Sequence, residues 1–192
     1  MSTYRLFIAI ELPADLIKAL VDLQDNLKEA RPVQWVKPAH MHLTLQFLGD
    51  VPVAQVEPLI IGLEKTIPGQ NRLFDLSITG IGVFPSLKRP RVIWVGIQGN
   101  VSALNALQAD VVKATQSIGI QPDKRPYKAH LTLGRVDKRA RSQDYRQIGQ
   151  LIRQKQSGIG QVGQLKVTHI HLIRSQLKPG GPIYTPLAKI DF

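Results

Sequence analysis

Two four-residue segments, His42-Leu43-Thr44-Leu45 and His130-Leu131-Thr132-Leu133, are the parts of this chain best suited to chemistry. On a β-strand, residues two apart share a face, so each His stands beside its Thr while the leucines turn into the core. An imidazole with an ordinary pKa near ~6.5 gains or loses a proton around neutrality, and a Thr hydroxyl can donate to a charged oxygen. Cleaving a phosphodiester needs a base on one side of phosphorus and an acid nearly in line on the other. Two His-x-Thr strands facing a common cleft would provide both, with the hydroxyls placed for the non-bridging oxygens and no metal required. Either imidazole could serve as the acid, because symmetry alone does not choose. One such strand by itself is an ordinary β pattern with a strand-favouring Thr; the repetition is what argues for catalysis.

The repeat is longer than the tetrapeptide. Lys37-Pro38-x-x-x-His42-Leu43-Thr44-Leu45 aligns without gaps on Arg125-Pro126-x-x-x-His130-Leu131-Thr132-Leu133. A strand-like run precedes each motif, Arg5 to Ile10 in one case and Arg91 to Ile97 in the other. Between run and motif, Leu16, Leu20, Leu23 and Leu27 have helical spacing with Pro13 at the start, and Leu104, Leu107, Val111 and Ile118 play the same part later. After each motif comes another helix, carried by Val53, Val56, Ile60, Leu63 and Ile67, then by Tyr145, Ile148, Leu151 and Ile152. Strands from Phe74 to Val83 and from Leu165 to Arg174 follow, and a last run from Tyr184 to Phe192 should close a sheet edge. Each half thus reads β-α-β-α-β, which predicts an α+β protein with pseudo-twofold symmetry and a cleft between two sheets. The segment 82–91, rich in Pro and basic residues, is the expected crossover, Lys178 to Pro182 is a turn, and Lys138 to Gln143 is a polar basic loop. The chain can cross between lobes, so the halves need not be the lobes.

At 192 residues the chain suits one folding unit, a single bilobal domain over 1–192 with repeat halves near 1–85 and 86–192. With no cysteine, disulfides, thiolate catalysis and Cys-based metal sites are excluded. The apolar runs are too short to span a bilayer and the N-terminus lacks a signal pattern, so a cytoplasmic protein without a membrane partner is expected. Lys and Arg number 25 against 14 Asp and Glu, a net charge of +11 that favours a polyanionic partner. Basic residues crowd the second motif at Lys124, Arg125, Lys128, Arg135, Lys138, Arg139 and Arg141, which places the phosphate near His130.

These residues resemble the 2H phosphoesterases, and most closely the RNA 2′,3′-cyclic phosphodiesterases once described as 2′-5′ RNA ligases. The likeness covers nearly the whole chain, including Arg5 to Pro13, Trp35-Val36-Lys37-Pro38, His42 to Gly49, Pro90 to Gly96, His130 to Val136 and Gly180 to Tyr184. The resemblance implies two antiparallel-rich sheets flanking a central cleft with helices outside. It also implies opening of a 2′,3′-cyclic phosphate at an RNA 3′ end to a 2′-phosphate, with His42 protonating the leaving 3′ oxygen and His130 taking the proton of water. Thr44, Thr132 and Arg135 would hold the phosphate; no cofactor and no metal are implied, and a monomer is expected. Strict alternation from His130 puts Arg135 on the far face, so a phosphate contact there requires a bulge at Gly134. Trp35 and Tyr127 are better suited to packing than to stacking on a base. Three rival readings are 2′-5′ ligation or action on another nucleotide, a non-catalytic RNA-binding module, and a metal site using His40 with His42 or His169 with His171.

Overall fold

The computed structural model describes residues 2–67, 73–123 and 125–192. The first apolar run forms β1 (Thr3–Glu11) and the leucine stripe after Pro13 forms α1 (Ala14–Asp25). A short strand, β2 (Val33–Trp35), precedes β3 (His42–Pro52), which the first motif opens. Next come α2 (Val56–Thr66), β4 (Phe74–Phe84), β5 (Val92–Gly99), α3 (Val101–Gln116) and β6 (His130–Val136), which the second motif opens. The chain ends with α4 (Ser142–Gln156), β7 (Gln161–Val167), β8 (His169–Lys178) and β9 (Gly181–Asp191).

Every strand pair is antiparallel, and the strands form a four-stranded sheet ordered β3-β1-β8-β9 and a five-stranded sheet ordered β2-β6-β5-β4-β7. The two sheets therefore share a plan, a motif strand beside its preceding strand and then a strand from the other repeat half. This is the pseudo-twofold, bilobal α+β arrangement, with β9 at a sheet edge as expected.

Helix placement interleaves the lobes further. The helix α1 follows a strand of the first sheet yet packs on β7 of the second, where the Leu16 δ-methyl lies 2.8 Å from where a Cβ on Gly163 would stand. Conversely α3 follows a strand of the second sheet and packs on β3 of the first, against α2, while α4 covers β4. The apolar stripe of α1 buries Leu16, Leu20 and Leu23, and burying a leucine is worth about 1.5–3 kcal/mol. Leu27 belongs to that stripe but lies just past the helix, fully buried in the turn that ends it.

Two expectations need correction. The segment 82–91 is not the crossover: β4 and β5 pair directly, with Phe84 opposite Val92, so it is the connection of a hairpin within one sheet. Nor is Leu165 to Arg174 one strand. It breaks at Thr168, with β7 joined to β4 in one sheet and β8 joined to β1 in the other. The run has no Gly or Pro to mark that switch, since the chain stays extended and merely changes partners.

Candidate active site

The first half of each motif strand follows simple alternation. His42 and Thr44 are half-buried while Leu43 and Leu45 are buried, and His130, Thr132, Leu131 and Leu133 repeat the pattern. Both strands then break register at the same point. Along β3, Thr44 sits opposite Ala9 but Gln46 sits opposite Ile8, so Leu45 is an extra residue; along β6, Thr132 faces Trp94 but Gly134 faces Ile93, so Leu133 is extra. The bulge inverts parity. Arg135 pairs with Val92, two residues from Trp94, and therefore shares the face of His130 and Thr132. A bulge was the condition for bringing Arg135 inward, and it lies at Leu133, one residue before the glycine. The same shift on β3 places Phe47 beside His42 and Thr44, where it is 66% exposed.

The bulge at Leu133 is fastened from two directions. Its carbonyl accepts from Val36 N at 2.9 Å and from the Gln24 side-chain amide at 2.8 Å, and the same amide donates to the Val36 carbonyl at 2.9 Å. Gln24 is 6% exposed on α1. Gly134 completes the fit, because a Cβ there would stand 2.6 Å from a Val33 methyl and 2.8 Å from the Trp35 ring. Sequence reading missed Gln24. Its signal was a polar residue beside Leu23 on the apolar face of α1.

Each imidazole is oriented by the carbonyl two residues before it. His130 Nδ1 lies 2.6 Å from the Lys128 carbonyl oxygen, a contact that fixes the proton on Nδ1 and leaves Nε2 with the lone pair. His42 is likewise hydrogen-bonded to the backbone of His40. Aromatic rings wall both. Phe7 lies 4.8 Å from His42 and Tyr184 meets it edge-on at 5.5 Å, while Phe84 meets His130 edge-on at 5.0 Å. Burial among these groups lowers the His42 pKa from 6.5 to about 4, against the opposing pull of the His40 backbone, with the His40 and Arg135 charges adding to the drop. His130 is lowered too, chiefly by burial and then by Arg135, the Lys128 carbonyl working the other way. One guanidinium thus acts on two imidazoles held by different sheets.

Among the other residues singled out in the sequence, Tyr127 donates from its hydroxyl to the Thr44 carbonyl at 3.2 Å, tying the segment before β6 to β3, and Trp35 packs over Gly134; both are packing residues. His40 sits in a single helical turn, Pro38–His40, its ring 4.9 Å from that of Tyr184 and tilted 56° to it, rather than on a strand beside His42. His169 and His171 meet edge to face at 4.9 Å, and His171 Nδ1 is 3.6 Å from a Glu11 oxygen, beyond hydrogen-bond reach. Among the described residues no three His, Cys, Asp or Glu side chains cluster in a way that could hold a metal ion. Also among the described residues, no helix is long and apolar enough to cross a membrane. Lys124 lies outside the described residues.

Comparison with known proteins agrees with this arrangement. A family described as LigT like Phosphoesterase matches the chain twice in succession, over residues 10–94 and 95–184. A protein of Methanothermobacter thermautotrophicus named RNA 2′,3′-cyclic phosphodiesterase is 36% identical over 184 residues, covering 95% of this chain and 96% of that one. One of the same name from Aquifex aeolicus is 36% identical over 173 residues, covering 90% of this chain and 85% of that one. A crystal structure of a Thermus thermophilus protein superposes with a TM-score of 0.77 at 28% identity, covering 97% of each chain. With two matches spanning most of its length and relatives above 30% identity across it, the chain belongs to the LigT-like phosphoesterases of the 2H superfamily.

Proposed function

We propose that this protein opens the 2′,3′-cyclic phosphate at an RNA 3′ end and leaves a 2′-phosphomonoester, the activity named for its relatives. The observation that carries the reading is the pair of equally bulged motif strands. Register sets His42 and Thr44 on one face of the first sheet and His130, Thr132 and Arg135 on one face of the second, and the Arg135 charge lowers the pKa of both imidazoles.

In this reading a water oxygen attacks phosphorus as Nε2 of His130 takes its proton, the P–O3′ bond breaks, and a protonated His42 delivers a proton to O3′. Thr44 and Thr132 donate to the non-bridging oxygens and Arg135 adds a charge-assisted contact. The Nδ1 contact of His130 with Lys128 suits it to the base, since it keeps the lone pair on Nε2. His42 is neutral in the free protein, so its role as acid depends on the anionic phosphate, whose negative charge favours the imidazolium. We also read residues 1–192 as one bilobal unit with related halves near 1–85 and 86–192. The exchange of α1 and α3 between sheets supports this, since the first helix of each half packs on a strand of the other half.

The decisive experiment incubates the protein, with EDTA present, with an RNA oligomer ending in a 2′,3′-cyclic phosphate and identifies the product by mass and phosphate position. A 2′-phosphate with mass increased by one water is expected. No conversion in any buffer would sink the assignment, and activity lost in EDTA but restored by a divalent ion would replace the two-histidine mechanism with a metal-dependent one.

A further inference from the structure

We propose that the groove between the β4–β5 connection and the segment joining β6 to α4 is the path of the RNA strand 5′ of its reacting end, a site that binds backbone phosphates without reading bases. This rests on the proposed reading of His42 and His130 as the reacting site.

The groove holds about 1500 Å³, beyond the ~300–1,000 Å³ of a pocket built for one small ligand. Eight Lys and Arg side chains line it against one carboxylate, Asp137, which already has Arg139 at 3.3 Å. Lys88 and Arg91 stand on one wall, Lys138 on the other, and Arg146 on α4, all exposed. Arg135 and Val92 line its inner end, and these two residues lie on the face of His130 and Thr132. A strand with its terminal phosphate at the histidines therefore meets cations as it leaves across the second sheet.

Among the described residues, the depression on the other side is smaller and less basic. The depression at the far end of the first sheet, about 430 Å³, sets Asp50 against Arg5, Arg174 and Lys178, and the Arg174 guanidinium lies 3.7 Å over the Tyr4 ring. The groove walls, in contrast, are anchored by backbone. Arg91 N donates to the Phe84 carbonyl at 2.7 Å and Val136 N to the Arg91 carbonyl at 3.0 Å, while α4 presses onto the Leu87 carbonyl through the bare face of Gly149. The one aromatic side chain of the lining, Tyr145, is half-buried beneath Arg89 at 5.9 Å. Cations on anchored backbone, without exposed stacking rings, suit phosphates of any sequence.

Two substrates separate the groove from the chemistry, a cyclic 2′,3′-mononucleotide and a ten-residue RNA ending in the same cyclic phosphate. In the wild type, kcat/KM should be higher for the oligomer and indifferent to its upstream sequence. The R91A/K138A/R146A variant should lower the oligomer-to-mononucleotide kcat/KM ratio roughly 10–100-fold and reduce the salt slope of oligomer binding, measured by fluorescence anisotropy, by about 2, as losing three single-strand phosphate contacts requires. A variant with equal charge loss on the outer helices, K18A/K65A/K113A, should keep the wild-type ratio. Turnover of both substrates at equal kcat/KM, or a groove variant with the wild-type ratio, would overturn the groove while leaving the active site intact. If neither substrate were hydrolysed but oligomer binding still weakened in the groove variant alone, the groove would stand and the proposed activity would fall. If binding were also unaffected, both would fall.

Discussion

His42 should titrate far below an ordinary imidazole in the free protein and recover when its cover is removed. The drop from 6.5 to about 4 corresponds to about 3 kcal/mol favouring the neutral ring, a ceiling because the cleft is open to water. Burial is the largest cause, and the Tyr184 ring 5.5 Å away is part of it, so Tyr184→Ala should move the midpoint up toward 6.5. The folded state holds His42 neutral where an unfolded chain would protonate it. Between about pH 6.5 and pH 4 the unfolded state therefore binds more protons, and stability falls as pH falls through that window, by up to about 3 kcal/mol and by less in Tyr184→Ala. For catalysis, both histidines are lowered, so kcat/KM, which reports the free enzyme, should decline about tenfold per pH unit above neutrality. The descending limb of kcat should lie at higher pH, because bound phosphate stabilises protonated His42. NMR titration of the imidazole Cε1–H signals, assigned with His42→Ala, measures the midpoint directly. A wild-type midpoint at or above 6.5, or one unmoved by Tyr184→Ala, would refute the burial argument.

His42→Ala and His130→Ala should each lower kcat on a cyclic-phosphate substrate by roughly 10²–10⁴ while sparing RNA binding, and near-normal turnover in either would end the shared-site reading. Gln24→Leu removes the amide that fastens the Leu133 bulge; thermal unfolding should show about 1–3 kcal/mol of lost stability, and kcat/KM should fall as Arg135 swings out, whereas stability lost at unchanged kcat/KM would leave Gln24 a packing residue. Gly149→Ala forces a methyl into the Leu87 carbonyl and should cost about 1–3 kcal/mol, with oligomer turnover falling more than mononucleotide turnover because Lys88 and Arg89 ride on that connection; a melting temperature equal to wild type would contradict the contact.

The motif strands, the leucine stripe of α1 and the α+β class were legible in sequence because they depend on periodicity, a local property. The likeness of the two His-x-Thr strands was legible because the segments are near copies, and copies of one strand repeat one geometry, down to the bulge after each Thr. Tertiary structure decided what depends on partners. Strict alternation put Arg135 on the wrong face, and only register against β5, with Gln24 and Val36 holding the Leu133 carbonyl, turns it back. The run through Thr168 is extended throughout, so nothing local announces that its two ends join different sheets. Helix α1 shows the same limit: the leucines reveal that one face is buried, but an apolar stripe is satisfied by any apolar surface, so which sheet it covers is settled only by the packed whole.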